Sequence, residues 1–363
     1  MSINRVYHTS LQHLRQLHPS ERITRLRGLA WLMAGILQAK SVQLAQVALA
    51  IPGQAKERSI VRRLERLLDN AALRVRPTYE PLARAWLLSQ SRSTGQVRLI
   101  IDASKVSFSH RMLMVALAFR RRAIPIAWTW QAGAKGHCSA RVQLALLEVV
   151  RQLLPPNASV MLVGDSEFEA CELQEQLEVW GWSYVLRQKP NNRVQAADEQ
   201  DWQAFGRRLE RAGQHVWLGR ARLTRKHKRQ VNLLAEWAVG EKEPWLLATN
   251  VSSRRAALQA YRRRMWIEEL FGDLKGHGFD LERSHLRQFA RLSRLTLAVV
   301  LLYDWLMTSG TQVIKRGLRG QVDRHDRRDL SIFQIGLRWI CRCLKNARPF
   351  SIQFVPSGLQ TVG

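Results

Sequence analysis

Between residues 97 and 187 the chain switches repeatedly between short apolar runs and helical spacing, and this succession restricts the fold more than any other feature. VRLII (97–101), LMVALAF (113–119) and AIPIAW (123–128) follow one another across the polar segments near His110 and Arg120 to Arg122. They read as three successive strands. Residues 139–154 then carry helical periodicity, SVMLVG (159–164) is a further strand, residues 167–179 a second helix, and WSYVLR (182–187) a fifth strand. The pattern predicts an α/β core, a mixed sheet flanked by helices.

The flanks differ from this core. Residues 1–92 read as an all-helical domain, with helical apolar spacing over 23–38, 42–50, 59–68 and 79–88, broken at Pro52-Gly53 and near Pro77. Residues 93–310 form the expected α/β domain. It is interrupted at about 190–250 by alternating segments (HVWLGRARL, RQVNLLAEWAV, EPWLLATN) that suit an inserted β region. Helices resume over 253–275, 288–308 and 330–345, and residues 311–363 are expected to form a helical C-terminal region. In the first domain, SVQLAQVALAIPGQAKERSIVRRLERLLDN reads as helix, turn, helix. Its second helix carries Arg58, Arg62, Arg63 and Arg66 around Ile60, Val61, Leu64 and Leu67. That arrangement fits a major-groove reader, and it equally fits the solvated face of a helical bundle.

Charge narrows the partner. The chain has 57 Lys and Arg against 29 Asp and Glu, a net charge of +28. Such self-repulsion is relieved by a polyanion, with counterion release. The cations are spread along the chain and not gathered beside an apolar anchor, which favours nucleic acid over a membrane. The longest uncharged apolar-leaning runs, 28–39 and 123–134, are too short to span a bilayer. No secretory signal is visible in MSINRVYHTSLQHL, so a cytoplasmic location and no membrane partner are expected. Cys138, Cys171, Cys341 and Cys343 are too few and too scattered for a disulfide framework or a zinc knuckle and read as reduced thiols.

Two carboxylates end apolar strands: Asp102 after VRLII and Asp165 after VMLVG. Neighbouring parallel strands would bring both to one region, where two acids jointly hold a divalent metal. Further on, YRRRMWIEELFGDLK sets Tyr261, Arg264, Glu268 and Lys275 at offsets 0, 3, 7 and 14. At about 100° per residue these return to within an arc of about 60° on one helix face, so one carboxylate is flanked by cations. Glu269 lies about 100° around the helix and should point away. Glu167 reads as an exposed acid at a helix N-terminus. His277 and His285 lack metal-ligand spacing, and no Walker-type glycine loop is present, so ATP use is not expected.

Together IIDAS around Asp102, VGDSEF around Asp165 and the Tyr261–Lys275 segment resemble the three catalytic blocks of the DDE transposases of bacterial insertion sequences. The last block is similar to the Y-x2-R-x3-E-x6-K signature of the family named after insertion sequence four. The resemblance covers about residues 95–310. It implies an RNase H-like catalytic core in which Asp102, Asp165 and Glu268 are the catalytic, metal-holding triad, with Mg2+ as cofactor and Mn2+ as substitute. It also implies a β insertion between the second Asp and the Glu, which accounts for the long interval of 268 − 165 = 103 residues. Arg264 and Lys275 would hold backbone phosphates, with Tyr261 donating its hydroxyl to another. The expected substrates are double-stranded DNA at the terminal inverted repeats and target DNA, acted on by a dimer on DNA in the bacterial cytoplasm, at the nucleoid. Two other readings suit the same residues: a non-catalytic DNA-binding regulator or decayed transposase, and an RNase H-like nuclease without strand transfer. Trp202, Trp217, Trp237 and Trp245 of the insertion suit either core packing or stacking on an unpaired base.

Overall fold

Five helices precede the first strand in the computed structural model, which describes residues 2–106, 110–133, 138–324 and 326–356. They are α1 (Ser2–Leu17), α2 (Ile23–Ala39), α3 (Leu44–Ala50), α4 (Glu57–Asp69) and α5 (Val75–Thr94). A break was expected near Pro77, yet α5 takes this proline into its first turn. There the missing N–H would have no intrahelical partner in any case.

β1 (Gln96–Lys105), β2 (His110–Phe119) and β3 (Arg122–Ala132) form an antiparallel meander. After α6 (Ala140–Leu153), β4 (Ser159–Gly164) lies parallel to β1, and after α7 (Cys171–Val179), β5 (Ser183–Arg187) lies parallel to β4. Helices cover both faces of these strands, which is why their sequences are continuous apolar runs and do not alternate. Gly164 closes β4 where space is short. A Cβ there would stand 3.0 Å from Ile101 and 3.1 Å from Leu186 and Phe168.

The inserted region contributes β6 (Arg193–Gln195), β7 (Gln203–Ala204), β8 (His215–Leu223), β9 (Arg229–Glu236) and β10 (Trp245–Thr249). It does not stand apart as a second sheet. β10 pairs with β5, giving one ten-stranded sheet in the order β3-β2-β1-β4-β5-β10-β9-β8-β6-β7. Its own small core gathers Val194, Phe205, Leu223, Leu233 and Leu246.

The chain then forms α8 (Arg254–Tyr261), a 3-10 turn (Arg262–Met265), α9 (Trp266–Leu274), α10 (Phe289–Lys315) and α11 (Ile332–Lys345). The boundaries expected at 92/93 and 310/311 fall inside α5 and α10 and mark no separation. One continuous apolar core runs from Ile3 in α1 through the sheet to Val355. At Gly310 an added Cβ would meet Ile332 O at 2.0 Å, and at Gly336 it would meet Leu306 O at 1.9 Å, so α10 and α11 cross backbone to backbone. The N-terminal helices are tied to α10 as well. Arg294 donates to Leu68 O (2.7 Å) and Leu73 O (3.1 Å), capping α4, and Arg291 pairs with Asp69. The Tyr79 hydroxyl of α5 lies 2.7 Å from both Pro125 O and Asp304 Oδ2. A hydroxyl has one proton, and burial pushes the Asp304 carboxyl far above its usual range, so neutral Asp304 completes the group.

By length and composition α10 could cross a membrane, although 89% of that stretch is buried inside the protein. A search for uncharged runs misses it because Asp304 interrupts the apolar residues.

Candidate active site

Strand register builds the site. The last paired residues of β1 and β4 are Ile101 and Gly164, so Asp102 and Asp165 follow side by side at the carboxyl ends of parallel strands. Each uses one oxygen to fix itself: Asp102 Oδ1 accepts from Ala103 N–H (2.8 Å) and Asp165 Oδ1 from Ser166 N–H (2.7 Å). The other oxygen of each faces the same donor, Arg264 Nη2, at 3.2 Å and 3.1 Å. Glu268, one turn further along, accepts from Arg264 Nη1 at 2.5 Å. One guanidinium therefore bridges three carboxylates held by β1, β4 and α9.

This differs from the expected cation-rimmed helix face. Tyr261 to Lys275 is not one α-helix: α8 ends at Tyr261, a tighter 3-10 turn carries Arg264, and Lys275 lies past α9 with φ −95° and ψ −128°. The tighter winding changes the angular position of every residue after Tyr261. Tyr261 is 3% exposed and edge-on to Trp245, so it lines the interior of the site and does not stand on an outer phosphate-binding face. Lys275 donates to Lys105 O (2.6 Å) and pairs with Glu282 (2.9 Å), tying the loop after α9 to β1. Arg264 faces inward because the carboxylates offer it partners in a medium where an unpaired charge is costly.

Exposure is graded across the cluster. The Asp102 and Arg264 side chains are 11% and 12% exposed, Asp165 30% and Glu268 45%, so the site opens on the Glu268 side. Burial pushes the Asp102 carboxyl up to about 7, although Arg264 and the Ala103 N–H act against the shift. For Arg264, burial disfavours the charge, but Asp102, Asp165 and Glu268 outweigh it and hold the guanidinium above its usual value.

A second ionic cluster occupies the other side of α9. Glu269 and Asp273 pair with Arg122 of β3, at 2.8 Å and 3.2 Å. Glu269 thus points away from the triad, as its position around the helix requires. Glu167 is not the exposed acid expected. It pairs with Arg111 of β2 (2.5 Å) and accepts from the Cys138 N–H (2.8 Å), which fixes the segment after Asp165. Sequence reasoning missed Arg187. Leu186 is opposite Gly164, so Arg187 ends β5 beside Asp165. An Arg ending a third parallel strand, next to two strand-ending aspartates, was the available signal.

Among the described residues, no three His, Cys, Asp or Glu side chains are placed to share one metal ion. The Arg264 guanidinium lies between the carboxylates that could do so. The donor set still fits a hard divalent cation: three carboxylates from three elements converge on one cation, and two are already oriented by backbone N–H groups.

On α4, Ile60, Leu64, Leu67 and Leu68 are buried while Arg58, Arg62, Arg63 and Arg66 are exposed. Arg63 and Arg66 border a cleft of about 380 Å³ beside Trp31, on which Tyr7 stacks at 4.1 Å. Among the described residues, no hydrogen bond or ion pair joins these arginines to the triad. Of the insertion tryptophans, Trp217 and Trp245 pack on the main core and Trp237 on the small one.

Comparison with known proteins bears on this geometry. No curated protein matches the chain. Among solved structures, the cryo-EM structure of the piggyBac transposase synaptic complex with hairpin DNA aligns over 99% of this chain and 85% of that one, at 10% identity and a TM-score of 0.41. A family model described as "Transposase DDE domain" matches residues 96–305. That span holds Asp102, Asp165, Arg264 and Glu268 and exceeds half of the 363 residues, and the chain belongs to this family.

Proposed function

We propose that the protein is a DNA transposase of the insertion-sequence-four type. In this reading it binds the terminal inverted repeats of its element, cleaves the 3′ ends and joins them to target DNA. The observation that carries it is the convergence of Asp102, Asp165 and Glu268 on one cation, within the span matched by the family. The strand order β3-β2-β1-β4-β5, three antiparallel strands followed by two parallel ones, supports an RNase H-like core.

Asp102, Asp165 and Glu268 would hold Mg2+, with Mn2+ as a substitute. The bound ions supply activation of the attacking water or 3′-hydroxyl and neutralise charge on the leaving oxygen. Arg264 balances the three carboxylates while no other cation does. Its planar fork suits a phosphate once they are otherwise neutralised. Arg187 and Lys275 stand near the strand ends where a DNA backbone would lie, paired with Glu243 and Glu282 until a phosphate competes for them. Exposed Arg62, Arg63 and Arg66 on α4 fit contact with duplex DNA away from the triad. Two ends cut together call for a dimer on DNA, working in the bacterial cytoplasm at the nucleoid.

The test uses a duplex carrying the element's terminal repeat in Mg2+. Glu268→Gln protein should retain the duplex with wild-type affinity and fail to nick it. Nicking at the wild-type rate would sink the assignment.

A further inference from the structure

At the opposite end of β1 from Asp102, a cleft of about 340 Å³ is bordered by Arg98, Arg120, Arg263 and Lys315 with Trp266 beside them, and none of the described residues lining it is acidic. Among the described residues none of these four cations belongs to an ion pair, unlike Arg264 and Arg122. Arg98 Nε donates to the Gln96 side chain (3.3 Å), Arg263 to Gln259 O (2.7 Å), and Arg120 lies over the Phe119 ring. Like charges in a cleft repel one another, and an anion is what relieves them. Burial and the neighbouring Arg98 both disfavour the charge on Arg263.

Two further observations point to a ligand. Arg120 and Arg121 close the β2–β3 hairpin with φ of +47° and +63°, where Asn or Gly would be relaxed. Arginines held there carry backbone strain. Moreover, Arg98 lies four residues before Asp102, on the same side of β1, hence about 13 Å from it along the strand. Arg263 and Arg264 are adjacent in the 3-10 turn, one bordering the cleft and the other on the triad.

We propose that this cleft seats a backbone phosphate of the DNA strand engaged at the triad, about four base pairs from the reacting bond at the duplex rise per strand. Arg98 and Arg263 grip the phosphate, Arg120 and Lys315 supply flanking charge, and Trp266 offers an apolar face to the adjoining sugar or base. The inference rests on DNA being the substrate.

The test has two arms on the full-length protein. In the first, a 30-base-pair duplex of arbitrary sequence is titrated over a range of NaCl. Arg98→Ala/Arg263→Ala protein should bind about tenfold more weakly, with a salt slope smaller by about 1 to 2. The exposed Lys315→Ala variant should move the same way by less. In the second arm, inorganic phosphate at constant ionic strength should raise the Tm of wild-type protein and of the charge-matched Arg207→Ala/Arg225→Ala variant, but not that of the double cleft variant. Unchanged slope and unchanged phosphate response in the cleft variant overturn the proposal. Wild-type protein that fails to retain duplex overturns the transposase reading, and the phosphate arm then still decides whether the cleft is an anion site.

Discussion

The two sides of α9 carry the same ingredients and do different things with them. On one side Arg264 meets Asp102, Asp165 and Glu268; on the other Arg122 meets Glu269 and Asp273. Adjacent residues, Glu268 and Glu269, are sorted to opposite sides by 100° of helix. In the Arg122 cluster both acids come from α9, Asp273 buried at 2% exposure and Glu269 exposed at 52%, and the cluster fixes the helix to β3. In the Arg264 cluster the acids come from three elements, and the most exposed one is at the mouth. An ionic cluster is thus a structural tie or a candidate site according to how many elements supply its acids.

The largest expected effect separates the two glutamates. Glu268→Gln should lower nicking by about a thousandfold, the several kcal/mol a metal-held carboxylate contributes to such a step. Glu269→Gln should leave the rate within a few-fold, and equal losses in a gel nicking assay would erase the distinction. Next comes Arg122→Ala, which strands Asp273. Urea denaturation should show a loss of about 3 kcal/mol at pH 8, the low end for a broken buried pair because Asp273 can take up a proton. A loss below about 0.5 kcal/mol would mean that the Arg122 cluster is not a tie.

Arg264→Ala should tighten Mn2+ binding by DNA-free protein about tenfold, since a competing cation is removed from between the carboxylates. Arg122→Ala should leave Mn2+ affinity unchanged. Mn2+ titration followed by electron paramagnetic resonance reads both, and weaker binding by Arg264→Ala would overturn the competition.

The smallest effect is on pH dependence. Burial pushes Asp273 up to about 7, with Arg122 acting against the shift, whereas an unfolded Asp titrates near 3.9. Between these values the unfolded chain has lost a proton that the folded protein keeps. Stability from this group is complete below about pH 4 and is lost as pH rises towards 7. Asp273→Asn should therefore flatten the fall of Tm across that window, and parallel wild-type and variant curves would refute the shift.

Much of the core was legible before any coordinates. Every strand from β1 to β5 was visible because strands covered on both faces must be apolar throughout, and both strand-ending aspartates followed from those runs. The β-rich insertion was visible as alternation, but its attachment to the edge of the main sheet was not, because the pairing of β10 with β5 joins segments about 60 residues apart. Arg187 escaped notice for a similar reason: its place beside Asp165 depends on register between strands, which local pattern does not encode. The boundaries expected near residues 92 and 310 follow changes in local pattern, whereas α5 and α10 run through both positions and Gly310 crosses close to α11 at Gly336.

By itself the sequence determined the element types, the net positive charge and the identity of the carboxylates, all of which depend on local periodicity or on counting. Only the tertiary structure decided where the charges point. A helical wheel drawn through Tyr261 to Lys275 assumes 3.6 residues per turn. The 3-10 turn at 262–265 breaks that assumption and turns Arg264 from an outer rim onto the three carboxylates. The physical reason is that a buried charge takes its orientation from the partners that the fold brings within reach, and two of the three lie 99 and 162 residues away in the chain.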